Sequence, residues 1–92
     1  MIDKIIKSID LFVEAIYDID QNGLQERYLA FIDAISNFIE KMAHMGYEVD
    51  LTEDLTNISQ AMQKKDYTEV ADILLYTIKT DFQKLDLGEL DI

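Results

Sequence analysis

Asp18, Asp20 and Asn22 alternate along the chain and are followed directly by Gly23. Two carboxylates and a carboxamide at every second position, closed by a glycine that permits a sharp turn, is a spacing that suits calcium. The ion takes roughly six to eight oxygen ligands, and these side chains with a carbonyl supply half of them. The remaining half of such a loop is missing. Its twelfth position calls for a bidentate carboxylate and holds Leu29; its eighth calls for an apolar residue and holds Gln25. Glu26, at the ninth, is the one further oxygen donor. The same residues also spell a helix stop and restart, because Asn-Gly tolerates positive φ. The stretch is thus half of an EF-hand-type loop or a plain turn, and the turn is the simpler reading.

Other chemistry is thinner. Glu40 and His44 are four residues apart and share a helix face, so a carboxylate sits beside the chain's single imidazole. Such a pair can bind metal or relay a proton. Carboxylate-bridged metal bundles need Glu-x-x-His twice with two further inward acids, and this chain has neither, so a solvated pair at a helix end is expected. Ser8, Ser36 and Ser59 have no arrangement to activate them as nucleophiles. Cysteine is absent, which removes disulfides and thiolate sites. The expectation is a chain that is not an enzyme, with no cofactor and no resident metal.

The elements around these residues are helical. Ile2, Ile5, Ile6, Ile9, Phe12, Val13, Ile16 and Ile19 recur at steps of three and four, which predicts helix 1 over Ile2 to Ile19. After Asp20–Gly23, the face Leu24, Tyr28, Phe31, Ile32, Ile35, Phe38, Ile39, Met42 and Met45 predicts helix 2 over Leu24 to Met45. Glu26 in its first turn and Lys41 and His44 in its last suit the helix dipole, and Gly46 suits a left-handed C-terminal cap. Asp50-Leu51-Thr52-Glu53 reads as a capping box that opens helix 3, Leu51 to Lys64, with a thin stripe of Leu51, Leu55, Ile58 and Met62. Asp66-Tyr67-Thr68-Glu69 opens helix 4, Tyr67 to Leu85, with Val70, Ala71, Leu74, Ile78, Phe82 and Leu85 inward. Short loops favour antiparallel neighbours. The fold class is all-α: an antiparallel up-down-up-down four-helix bundle over residues 1–85, with an acidic tail at 86–92. The alternative is a three-helix bundle with helix 3 loosely attached.

Charge bounds the partners. Nineteen acids against eight bases give −11. A chain this acidic repels nucleic-acid phosphates and anionic lipid, and it can attract a basic protein. The N-terminal residues alternate acids and lysines with isoleucine, unlike a signal peptide, and no stretch approaches a membrane span. A cytoplasmic protein is expected. The many isoleucines with seven lysines and one arginine suggest an AT-rich bacterial coding sequence.

The segment Lys64-Lys65-Asp66-Tyr67-Thr68-Glu69-Val70-Ala71-Asp72-Ile73-Leu74-Leu75-Tyr76 resembles the turn and second helix of a tetratricopeptide hairpin, where Asp-Tyr leads into a helix with small and apolar residues inward. It also resembles an element of small helical-bundle proteins of Firmicutes. The family's small residue in the preceding helix falls on Ile58, and no proline closes the second helix, so neither a repeat array nor a peptide groove carries over. The resemblance implies a tight antiparallel hairpin of helices 3 and 4, with Tyr67 at its base.

Met42, Met45 and Met62 read as core filling, with an adaptable binding groove as the alternative. The apolar residues off the stripes are Leu11, Tyr17, Leu29, Leu75 and Tyr76. If they gather in space they define a partner or homodimer surface. The functional expectation is a small acidic protein–protein interaction module, adaptor- or chaperone-like. An acidic inhibitor or immunity-type protein for a basic partner is one alternative, and a weakly calcium-responsive protein through residues 18–23 is the other.

Overall fold

The computed structural model describes residues 2–18 and 20–86, with the side chains of residues 85 and 86 excepted. The expected inward positions Ile19 and Leu85 and the tail from residue 87 lie outside the described residues. The helices are α1 (Ile2–Ile16), α2 (Leu24–His44), α3 (Thr52–Lys64), α4 (Tyr67–Ile73) and α5 (Lys79–Asp86). A π-helical turn, Leu74–Ile78, joins α4 to α5. Leu74, Ile73 and Lys79 all keep right-handed helical backbone angles, so α4, the π turn and α5 form one continuous fourth helix.

The apolar stripes account for the packing. Ile5, Ile9, Phe12 and Ile16 of α1 meet Leu24, Phe31, Ile35, Phe38 and Met42 of α2 in one core, closed by Ile58 of α3 and by Val70, Ala71, Leu74, Ile78 and Phe82 of the fourth helix. Phe12 lies at its centre, with ring centroids 5.6 Å from Tyr28 and 5.8 Å from Phe31. The architecture is the expected all-α four-helix bundle. The described residues extend over 41 × 22 × 20 Å, long enough for the 21 residues of α2, which span about 32 Å at 1.5 Å per residue.

The helices do not pack equally. α1 runs close to α2 on one side and to the fourth helix on the other, while α3 runs close to α4. α2 and α3 are not a closely packed pair. α2 and α5 are likewise not closely packed, and there side chains bridge the gap, as where Phe38 meets Phe82.

Local chemistry sets the helix ends, and several differ from the periodicity. α1 stops at Ile16; Tyr17 and Asp18 belong to the turn, and Met45 caps α2 instead of extending it. Gly46 has φ +89°, Tyr47 N–H donates to the Met42 carbonyl and Gly46 N–H to that of Ala43, which is a Schellman stop. Met45 is therefore carried off the core face and is 60% exposed. In the first loop the left-handed residues are Gln21 and Gly23, not Asn22. Asp50 does not form a capping box. Its carboxylate accepts from Thr52 N–H two residues on, so α3 begins a residue later, with Leu51 at the N-cap and no side-chain cap. Asp66 does cap, accepting from Glu69 N–H at 3.3 Å.

The α3–α4 junction is the tight hairpin that the tetratricopeptide resemblance implies. Lys65 takes a left-handed φ of +59°, Asp66 N–H donates to the Ala61 carbonyl, and Tyr67 is half-buried at the base. Ala15 and Ala61 are buried core residues that the stripes did not include. The π turn was also not anticipated. Its signal is the run Val70, Leu74, Ile78, Phe82, every step of which is four. An α-helix turns past a full circle at each such step, and a turn of i→i+5 bonds restores the phase.

Candidate functional site

The first loop separates the residues that the calcium spacing had grouped. An Asp18 carboxylate oxygen accepts from Asp20 N–H at 3.1 Å and is thereby engaged in its own turn. Asp18 and Asn22 line a groove on the α1–α2 side, whereas Asp20 lines another, on the α3 side. Among the described residues no set of three or more His, Asp or Glu side chains is arranged to hold a metal ion. Glu40 and His44 stand 4.0 Å apart at the end of α2, both largely exposed. The Ser8 hydroxyl donates to the Ile5 carbonyl at 2.7 Å, within its own helix. Ser36 is exposed and Ser59 half-buried.

The five off-stripe apolar residues fall on α1, the first loop, α2 and the π turn. Leu11 is half-buried between α1 and α2. Tyr17 is exposed in the turn after α1, and Leu29 is exposed on α2. Leu75 and Tyr76 both fall in the π turn, where Leu75 is half-buried and Tyr76 is 76% exposed. Met45 and Tyr47, at the end of α2, are exposed apolar residues that join this set.

Two grooves are better defined. The first follows from the wide α2–α3 seam. Near the start of α2 and the end of α3 it opens into a groove of about 620 Å³. Its apolar residues are Leu24, Tyr28, Met62 and Tyr67, and its rim is polar at Gln25 and Gln63, with Asp20 as its one charged residue. Met62 is half-buried here, at the edge of the core, where an unbranched thioether can adapt to what it meets.

The second groove runs along the outside of the α1–α2 pair, about 240 Å³ in its middle section. Ser8 and Leu11 of α1 and Ala30 and Ala34 of α2 form its floor; Lys4, Lys7 and Arg27 stand on its walls. Toward the first loop it continues between Glu14, Asp18 and Arg27. Among the described residues the ion pairs are Lys79–Asp10, at 2.7 Å, and His44–Glu40. Neither draws on the charges along this groove. None of Lys4, Lys7, Glu14, Arg27, Ala30 and Ala34 stood out in the sequence as a site. The available signal was Lys4, Lys7, Leu11, Glu14, Asp18, a row at steps of three and four that passes from base to acid on one face.

Carboxyl groups elsewhere feel their surroundings. Burial pushes the Asp54 carboxyl up from its ordinary value, and the negative charges of Glu53 and Asp81 push the same way. The Thr52 backbone and hydroxyl hold the Asp50 carboxyl below its ordinary value by hydrogen bonding.

No helix among the described residues is long and apolar enough to cross a membrane. Neither a protein-family model, nor a curated protein, nor a solved structure matches the chain.

Proposed function

We propose that this chain is a non-enzymatic protein–protein interaction module of adaptor or chaperone type. The observation that carries the reading is the α2–α3 groove. Its apolar floor and mainly uncharged rim, with the single acid Asp20, suit the apolar face of a partner's helix or extended segment. The tyrosines present an apolar ring with a polar tip, a side-chain type enriched among the residues that dominate interface energies. The bundle would serve as the scaffold, and a cytoplasmic setting accords with a cysteine-free chain.

The test places a photo-crosslinking residue at Gln63, on the groove rim, and at Glu40, exposed near the other end of α2. The reading expects a discrete protein adduct from position 63, lost when Met62→Glu is added and absent from position 40. The same adducts from both positions would overturn it.

A second reading is favoured by the charge of −11: an acidic inhibitor- or immunity-type protein that blocks a basic partner. It predicts fast association that slows steeply with salt. Association through the α2–α3 groove would depend less on salt, since Asp20 is the one charged residue that lines it.

A further inference from the structure

We propose that the outer face of the α1–α2 pair docks on a second copy of this chain, antiparallel across a two-fold axis at Leu11. The proposal names one partner for the interaction module of the preceding section and uses a different face from its groove.

The argument rests on how charge is laid along α1. Lys4 and Lys7 lie on one side of Leu11; on the other lie Glu14 and, in the turn just after α1, Asp18. All four are exposed, and none joins an ion pair among the described residues. Leu11 is the midpoint: Lys4 and Asp18 are each seven residues from it, and Lys7 and Glu14 are four and three. A two-fold axis through Leu11 therefore brings Lys4 and Lys7 of each copy opposite Asp18 and Glu14 of the other. A symmetric dimer requires this self-complementarity, because the same patch must face itself. A parallel arrangement would set base on base and acid on acid.

The groove between the helices supplies the apolar part. Ala30 and Ala34, one turn apart on α2, and Ser8 on α1 keep side chains short on the floor. A neighbouring helix can then approach closely, and the two Leu11 side chains meet at the axis. The Ser8 hydroxyl is already satisfied by the Ile5 carbonyl, so covering it strands no donor. Arg27, on α2, lines both sections of the groove. The net charge of −11 opposes association of like copies at long range. The opposed rows at the interface provide a local attraction that also fixes orientation.

The experiment measures mass by light scattering behind size exclusion across a hundredfold concentration range. The wild-type chain is expected to move from 10.7 kDa toward twice that mass. Two charge-reversed variants are then compared, Lys4→Glu/Lys7→Glu and Glu14→Lys/Asp18→Lys. Each alone sets like charges against each other at both ends of the interface, and self-association is expected to weaken by at least about tenfold. Mixed together they are expected to form a heterodimer, and the fourfold variant, with both ends reversed, is expected to dimerise again. Circular dichroism confirms that each variant keeps its helix content. Recovery in the mixture is an outcome that mere destabilisation of α1 cannot produce. A wild-type chain that stays at monomer mass throughout would overturn the proposal, and so would a dimer indifferent to both reversals. Either result leaves the α2–α3 groove to its own crosslinking test, so the two readings fail separately.

Discussion

Phe38 of α2 and Phe82 of α5 meet edge to face, with ring centroids 5.0 Å apart and planes at 77°. Their helices are not a closely packed pair, so these rings span a gap that backbones elsewhere in the bundle close. Truncating either should cost about 3–5 kcal/mol. The pair itself should show a coupling of about 0.5–1.5 kcal/mol in a double-mutant cycle with Phe38→Ala and Phe82→Ala. Chemical denaturation of the four proteins checks this; strictly additive losses would mean that the rings do not act together.

Lys65 holds a left-handed conformation at the end of α3 without being glycine. A side chain there costs about 1 kcal/mol relative to glycine. Lys65→Gly should therefore raise stability by several tenths of a kcal/mol, to about 1, with no change in fold. An unchanged or lower denaturation midpoint would contradict the hairpin geometry.

Asp54 tests the burial at the start of α3. Its folded carboxyl keeps its proton to higher pH than the unfolded carboxyl, whose ordinary value is 3.8. Its contribution to stability is therefore fully present below that value and is lost as pH rises through the raised one. At pH 7 the charge is a penalty that Asp54→Asn removes. The variant should melt higher than wild type at neutral pH, and the gap should close toward pH 3. A gap that persists at low pH would point to a cause other than charge.

Much of this was legible from spacing. The helices, their order and most of the core followed from steps of three and four, since burial on one face is what holds an amphipathic helix in place. The helix ends were less so. Asp50 bonds two residues on instead of three, and Gln21 takes the left-handed place expected of Asn22. Such choices are settled by the direction in which the chain must leave the loop. Met45 was misplaced because α2 ends there, and as its C-cap the residue is exposed. The grooves were not legible at all, because they depend on how far apart two helices stand, and periodicity carries no information on distance between helices.

Tyr76 offers a test of the π turn. The wide turn carries one residue more than an α-helix needs to bring Leu74, Ile78 and Phe82 onto the same side. Deleting the exposed Tyr76 should leave an ordinary α-helix whose inward residues step by four, three and four. The deletion variant is expected to fold, with native helix content by circular dichroism. Loss of cooperative melting would show that the turn is required for the bundle.

Millimolar calcium should leave the amide resonances of Asp18, Asp20 and Asn22 in place, because Asp18 and Asp20 line different grooves. Saturable shifts at all three would show that the loop rearranges around the ion.

The attachment of α3 has a bearing on time as well as shape. Its backbone is held closely by α4 alone, and one of its few fully buried side chains is Ile58. A segment anchored so narrowly opens at a lower free energy than the whole molecule, and its amides exchange with solvent through that partial opening. Every such event uncovers the α2–α3 seam along its length. A visiting chain would then meet, for an instant, a bundle of three helices with a vacancy the size of a fourth.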